Sequence, residues 1–204
     1  MFRSWVARKY GGLESHPLAL YEAIEQVSYF EGSMGWVVMV CGTSARLSGL
    51  LPAHFADEIF GDPRAVAGGF VGAMGAARAV PGGVTVSGRW PWGSGTPHCT
   101  YVAGGTRIVN ETGEPAELPD DTKSLLVIFE RGQVELSDNW DTGGLRASAS
   151  GDYIVNDVFV PAGRWLRSLA DRPTIDAPLY RFAPVGSLAA GVAFVCLGLG
   201  QRPG

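Results

Sequence analysis

The run Ser87-Gly88-Arg89-Trp90-Pro91-Trp92-Gly93-Ser94-Gly95 carries residue types suited to holding a flat heterocycle. An indole offers a broad apolar wall to a ring system, and a hydroxyl beside a backbone N–H reaches the ring's heteroatoms. Glycines on either side of the serine let backbone approach closely. The same residues also fit a plainer reading, a tryptophan that plugs a core next to a tight turn. A second polar segment, Asp138 to Asp152, leads into the apolar run Tyr153–Pro161. It is either an ordinary hairpin loop or one in which Arg146 grips a carboxylate or meets a phosphate. Composition does not choose between these.

Other chemistries lack their residues. No GxxxxGK[ST] loop, no GxGxxG between a strand and a helix, and no GxSxG elbow occurs. Three histidines (His16, His54, His98) and three cysteines (Cys41, Cys99, Cys196) are scattered, so neither a metal site nor a disulfide framework is expected. Asp120-Asp121 reads as a solvated turn, Glu22, Glu25, Asp57 and Glu58 as exposed helix charges, and His98 as a polar loop residue. The catalytic group stays unknown. Sixteen basic against twenty acidic residues give a net charge of −4, without the basic face that nucleic acid requires. The opening residues MFRSWVARKYGG lack the apolar core of a signal peptide, and the cysteine pattern suits a reducing compartment. The expectation is a cytoplasmic protein.

Three stretches must position these residues. Residues 1–64 read as helical. Ser15-His16-Pro17 starts a helix, with Ser15 as the capping hydroxyl, and Leu20, Tyr21, Ile24, Val27 and Ser28 form its apolar stripe. A helix from Ser33 to about Leu51, apolar on most faces and dotted with small residues, is buried. A short third helix runs from Pro52 through Phe60. Residues 65–173 read as strands with Gly/Pro turns, including Val84–Ser87, the apolar run Ser124–Glu130, and Asp152–Val160. In the last, alternation puts Tyr153, Val155, Asp157 and Phe159 on one face. Residues 174–204 contain an uncharged stretch, 182–200, long enough to raise a membrane helix; Pro184 and four glycines favour a bundle helix instead.

Gly88-Arg-Trp-Pro-Trp-Gly-Ser-Gly95 is similar to the G-R-[WY]-x-[FW]-x-S-G pattern of the acyl-CoA dehydrogenase superfamily. Within it, the match is to the two-component flavin-dependent aromatic monooxygenases, of the hydroxyphenylacetate and secosteroid-phenol hydroxylase type. Asp141-Thr-Gly-Gly-Leu-Arg146 through Asp157-Val-Phe-Val-Pro161, Tyr10-Gly-Gly-Leu-Glu14 and Gly32-Ser-Met-Gly-Trp36 resemble further elements of that branch. Phe70-Val-Gly-Ala-Met-Gly-Ala76 lacks the Thr-Glu-Pro-x-x-Gly-Ser-Asp loop of the dehydrogenases. Aromatic hydroxylation is therefore placed ahead of acyl-CoA desaturation.

The resemblance implies an α+β fold: a partial N-terminal helical domain (1–64), a middle antiparallel β-barrel (65–173), and the first helix only of a C-terminal helical bundle (174–204). It implies a flavin, FMN or FAD, against Trp92, with Ser94 at its reactive edge and Phe70, Val71 and Gly72 along its pyrimidine side. Full members run to nearly twice this length and carry their catalytic base in the bundle. The chain therefore looks truncated at both ends, with weak flavin binding and little or no turnover; a non-catalytic fragment is the alternative. An aromatic or acyl-CoA substrate, a flavin reductase partner and a homo-oligomer are implied, without nucleic acid or membrane. The close-packing residues of 182–200 point to pairing with another chain.

Overall fold

The structure, a computed structural model, describes residues 1–201. Three helices, α1 (Pro17–Phe30), α2 (Gly32–Ser44) and α3 (Ala53–Phe60), precede seven strands, and α4 (Pro178–Arg181) and α5 (Pro184–Gly200) follow them. Pro17 occupies the first turn of α1, where a missing N–H costs nothing. The cap is His16 rather than Ser15: His16 Nδ1 accepts from the Leu18 N–H at 3.3 Å. Ser15 Oγ instead donates to the Ser4 carbonyl at 3.1 Å. Glu31 then breaks the helix with an extended backbone, and its carboxylate accepts from the Met34 N–H at the start of α2. Helix α2 is buried on nearly every face, as its composition demands, and passes into a 3-10 turn, Ala45–Gly49, before reaching Leu51.

Helix α5 lies on α1 and α2 of the same chain. A Cβ at Gly198 would collide with the Glu25 carbonyl and Ser28, and one at Gly191 with Met39. Tyr21 stacks on Phe194 with ring centroids 5.2 Å apart and donates its hydroxyl to the Ser187 carbonyl at 3.0 Å. Gly198, one of the small residues expected to face another chain, therefore serves a contact within this one. The other side of α5 leaves Val185, Val192 and Leu197 exposed. No described helix is long and apolar enough to cross a membrane. The last three residues of the expected 174–204 segment, Arg202 to Gly204, lie outside the described residues.

The strands are β1 (Ala67–Val80), β2 (Gly83–Trp90), β3 (Tyr101–Val109), β4 (Ser124–Glu130), β5 (Glu135–Leu136), β6 (Tyr153–Pro161) and β7 (Trp165–Leu166). They form one sheet in the order β5-β6-β2-β1-β3-β4-β7. The α+β class stands, but the expected closed antiparallel barrel does not. The sheet is open, its end strands are two residues long, and β1 and β3 run parallel. The chain reaches that parallel pairing because β2 returns antiparallel to β1, and the segment 91–100 then carries it back to the start of β1, where Tyr101 faces Ala67.

Strand β4 is apolar throughout because both its faces are covered. Leu126 and Ile128 meet the helical layer, while Leu125, Val127 and Phe129 meet a second core around Trp90. Trp90 stacks on Tyr153 at 5.2 Å and its Nε1 donates to the Gly105 carbonyl at 2.7 Å. Gly75 is required beside it, since a Cβ there would enter the indole. In β6 the alternation fails at a bulge: the register with β2 shifts between Val86 and Gly88, and Asp157 takes φ 48°. Tyr153 and Val155 stay inside, whereas Asp157 and Phe159 turn outward and Val160 turns in. One extra residue reverses the parity of everything after it.

Gly198→Leu tests the packing of α5. The new side chain meets backbone on α1, which cannot yield as a side-chain tip can. The expected loss is about 1–3 kcal/mol, read from urea denaturation. A silent substitution would mean that α5 does not rest on α1.

Candidate functional site

The segment 91–100, which crosses from β2 to β3, is braced by the loop that precedes β6. Gly93 N–H donates to the Gly151 carbonyl and Gly95 N–H to the Ser148 carbonyl, both at 2.9 Å. Just before these anchors Trp92 adopts φ 58°, a left-handed conformation uncommon for a bulky residue. The consequence is an indole that is 59% exposed, facing Phe70 with ring centroids 5.9 Å apart in an edge-on arrangement. The two tryptophans of the motif thus divide the two readings of the sequence: Trp90 plugs the core, and Trp92 stands at the surface.

Phe70 belongs to a stretch of β1 where the sheet register breaks twice. Phe70 pairs with Gly104 and Ala73 with Gly105, so Val71 and Gly72 have no partner residue on β3. The Phe70 ring lies over Gly72, where a Cβ would strike it. Bulges of this kind recur beside binding sites because they re-aim side chains. Tyr153 holds the strand in place: its hydroxyl accepts from the Phe70 N–H at 3.0 Å and donates to the Ala103 carbonyl at 2.6 Å. Burial pushes the Tyr153 phenol far above its ordinary range, so it stays a neutral donor.

Ser94 is 5% exposed and sits behind Trp92. Trp36 Nε1, from α2, donates to its Oγ at 2.9 Å. Ser94 Oγ also lies 2.7 Å from Ser150 Oγ, which lies 2.6 Å from Ser148 Oγ, and Ser148 Oγ is 2.7 Å from the Leu145 carbonyl. A carbonyl only accepts, so Ser148 donates to it, Ser150 donates to Ser148, and Ser94 donates to Ser150. The Ser94 proton is therefore committed inside the protein, and what remains for a ligand is a lone pair.

Sequence reasoning missed Trp36 as a site residue, along with Ser148, Ser150 and Tyr153. The serines lie more than fifty residues from Ser94, and only the Gly/Ser composition of their loop marked them. Arg146 fixes that loop through Asp141 Oδ1 at 3.1 Å and the Thr142 carbonyl at 3.1 Å, and both charged side chains are largely exposed. His98 is exposed at the end of a short 3-10 turn. Beneath the same segment Cys41 and Cys99 bring their sulfurs to 3.9 Å. The neighbouring Cys41 thiol and burial push Cys99 well above the usual thiol range, which makes it a poor nucleophile.

The residues present fit a flavin. Trp92 and Phe70 supply an exposed aromatic wall on a surface that also exposes Val71 and Met74. Ser94 supplies an acceptor, and the bulged Val71-Gly72 segment supplies strand backbone without a partner residue on β3.

No protein-family model matches the chain. Indole-3-acetate monooxygenase of Pseudomonas putida is 32% identical over 202 residues, 98% of this chain and 50% of that protein. The oxygenase subunit HsaA of a flavin-dependent monooxygenase from Mycobacterium tuberculosis is 31% identical over 189 residues, 89% of this chain and 46% of its own length. Among solved structures, XiaF from Streptomyces in complex with FADH2 and glycerol superposes with a TM-score of 0.88 at 32% identity, covering 98% of this chain and 51% of that one. Over nearly its whole length the chain is similar to oxygenase components of flavin-dependent monooxygenases. It spans about half the length of the curated relatives it matches. The fold resemblance extends from α1 through α5, so it takes in Trp36, Phe70, Trp92 and Ser94 together.

The Trp36–Ser94 bond ties α2 to the site segment. Trp36→Phe removes the donor, and the expected cost is about 0.5–1.5 kcal/mol. In a double-mutant cycle with Ser94→Ala, urea denaturation returns a coupling of about 0.5 kcal/mol or more. Strict additivity would show that the bond contributes nothing.

Proposed function

We propose that this chain forms the flavin-facing part of an oxygenase component that hydroxylates an aromatic compound, using O2 and reduced flavin delivered by a separate reductase in the cytoplasm. The observation that carries this reading is the Trp92 indole, held outward by a left-handed backbone against Phe70, two residues before a serine with a free lone pair. Its likeness to the oxygenase components supports the choice of chemistry.

A bound reduced flavin supplies the electrons that activate oxygen. Trp92 and Phe70 bind and orient its ring system by stacking and edge contact. Ser94 accepts a hydrogen bond from a ring N–H, a group that reduced flavin carries at its reactive edge. This assigns the serine the role of acceptor, because its own proton goes to Ser150. Val71 and Gly72 lie along the ring's polar side, and Tyr153 keeps Phe70 at the height that the ring requires. No residue here is assigned as the group that takes the substrate's proton.

A ring resting on an indole more than half exposed buries limited area, so binding is weak, with a Kd above about 10 µM. Trp92→Ala weakens it about 10- to 100-fold, the order of one aromatic stacking contact. Quenching of flavin fluorescence measures both. Sub-micromolar binding that ignores Trp92→Ala would overturn the assignment.

We also propose a homo-oligomer, on the apolar outer side of α5. Val185 and Leu197 are exposed there, and a contiguous apolar surface is uncommon on a monomer. Light scattering should show a mass above 21.6 kDa that falls towards the monomer with Val185→Glu/Leu197→Glu. A wild-type monomer would exclude it.

A further inference from the structure

The loop that supports Ser94 is held in an uncommon conformation at two points. Leu145 takes φ 53° and Ala149 φ 47°, left-handed backbone that neither side chain favours. The turn between them, Arg146–Ser148, carries the fully buried Ser148, and Ser150 follows, also buried. Backbone of this kind persists only where its surroundings fix it, and it accompanies functional positions. The surroundings here are specific. Trp140 Nε1 donates to the Leu145 carbonyl at 2.9 Å, and Asn139 Oδ1 accepts from the Asp152 N–H at 2.8 Å. What the strained turn achieves is to aim two hydroxyls, Ser148 and Ser150, at a third on a distant segment.

The direction of that hydroxyl chain is set at its far end, by the Leu145 carbonyl. All three protons run away from the aromatic surface. One Ser94 lone pair is taken by Trp36 Nε1, which leaves one. Such a serine serves a ligand that donates and repels one that only accepts. Oxidised and reduced flavin differ in this respect. The ring nitrogen at the reactive edge is a bare acceptor in the oxidised form and an N–H donor in the reduced form. Opposite Ser94, the first sets lone pair against lone pair, and the second makes a hydrogen bond.

We infer that Ser148 and Ser150, both buried and acting only through Ser94, are positioning residues that set which redox form of the flavin this site holds; the inference rests on the flavin reading proposed above. They turn the Ser94 proton inward and so make the serine an acceptor. Without Ser150, the nearest acceptor for that proton is the Trp92 carbonyl at 3.5 Å, too far for a strong bond. The proton is then free to turn outward and donate to the oxidised ring. Without Ser148, the Ser150 proton loses its acceptor and turns to Ser94, with the same result.

Anaerobic equilibrium dialysis of the full chain tests this with FMN and FAD, each oxidised and reduced. The wild type should hold the reduced form about tenfold more tightly than the oxidised one. That ratio raises the two-electron potential of the bound flavin by about 30 mV. In Ser150→Ala and Ser148→Ala the ratio should fall towards unity, chiefly because the oxidised form binds better, and the potential should fall with it. Ser150→Thr keeps the hydroxyl and should keep the ratio. In a Ser94→Ala background, Ser150→Ala should no longer change it. A merely structural role would weaken both forms alike and leave ratio and potential where they were. Circular dichroism checks folding; if Ser150→Ala does not fold, Ser148→Ala decides. Flavin binding with no preference in the wild type, or with a preference that survives the alanine variants, would overturn this inference and leave the flavin reading standing. Absence of binding by either form would overturn the flavin reading, and this inference with it.

Discussion

The hydroxyl of Tyr153 sits where three strands must agree. It accepts from β1 at Phe70 and donates to β3 at Ala103, while its ring lies flat on Trp90 of β2. Because β1 and β3 are parallel here and β1 bulges twice, ladder bonding alone leaves the strand at Phe70 poorly fixed. The phenol supplies the missing restraint from across the sheet. Phe70 can then face Trp92, and the parts of the site that depend on their relative height follow from one buried hydrogen-bonded group.

A second constraint joins the helical layer to this arrangement. Trp36 reaches from α2 to Ser94, and the Ser94–Ser150–Ser148 chain carries that connection to the loop before β6. Every polar hydrogen in the chain has an acceptor, so the network is rigid in the sense that matters for ligand binding: its unfilled capacity lies at a defined atom.

Where an element's burial is simple, the sequence reveals it. Strand β4 is covered on both faces, and its apolar run matches its bounds at Ser124 and Glu130. Helix α1 shows its stripe because only one side is buried. Strand β1 was hidden: its residues are mostly small, and two register breaks erase any period of two. In β6 the alternation is real on each side of Asp157 and wrong across it. The aromatic-hydroxyl motif marked Trp92 and Ser94, but what Ser94 can offer depends on serines far along the chain, and no spacing rule reaches that distance. The uncharged stretch in α5 gave its helix correctly, while its resting place on α1 and α2 depended on shape at Gly191 and Gly198.

The parallel pairing of β1 with β3 also shapes how the molecule must assemble. A hairpin of β1 and β2 can close early, as its ends are adjacent. The β1–β3 pair closes only after β2 and the whole Trp92 segment have been laid out between them, a loop closure that is entropically costly. The binding segment is thus part of the crossover that this parallel pairing requires. Conditions that leave folding incomplete should preserve the hairpin and lose the Trp92–Phe70 contact first. Nascent chains would gain their secondary structure before they gain a ligand site.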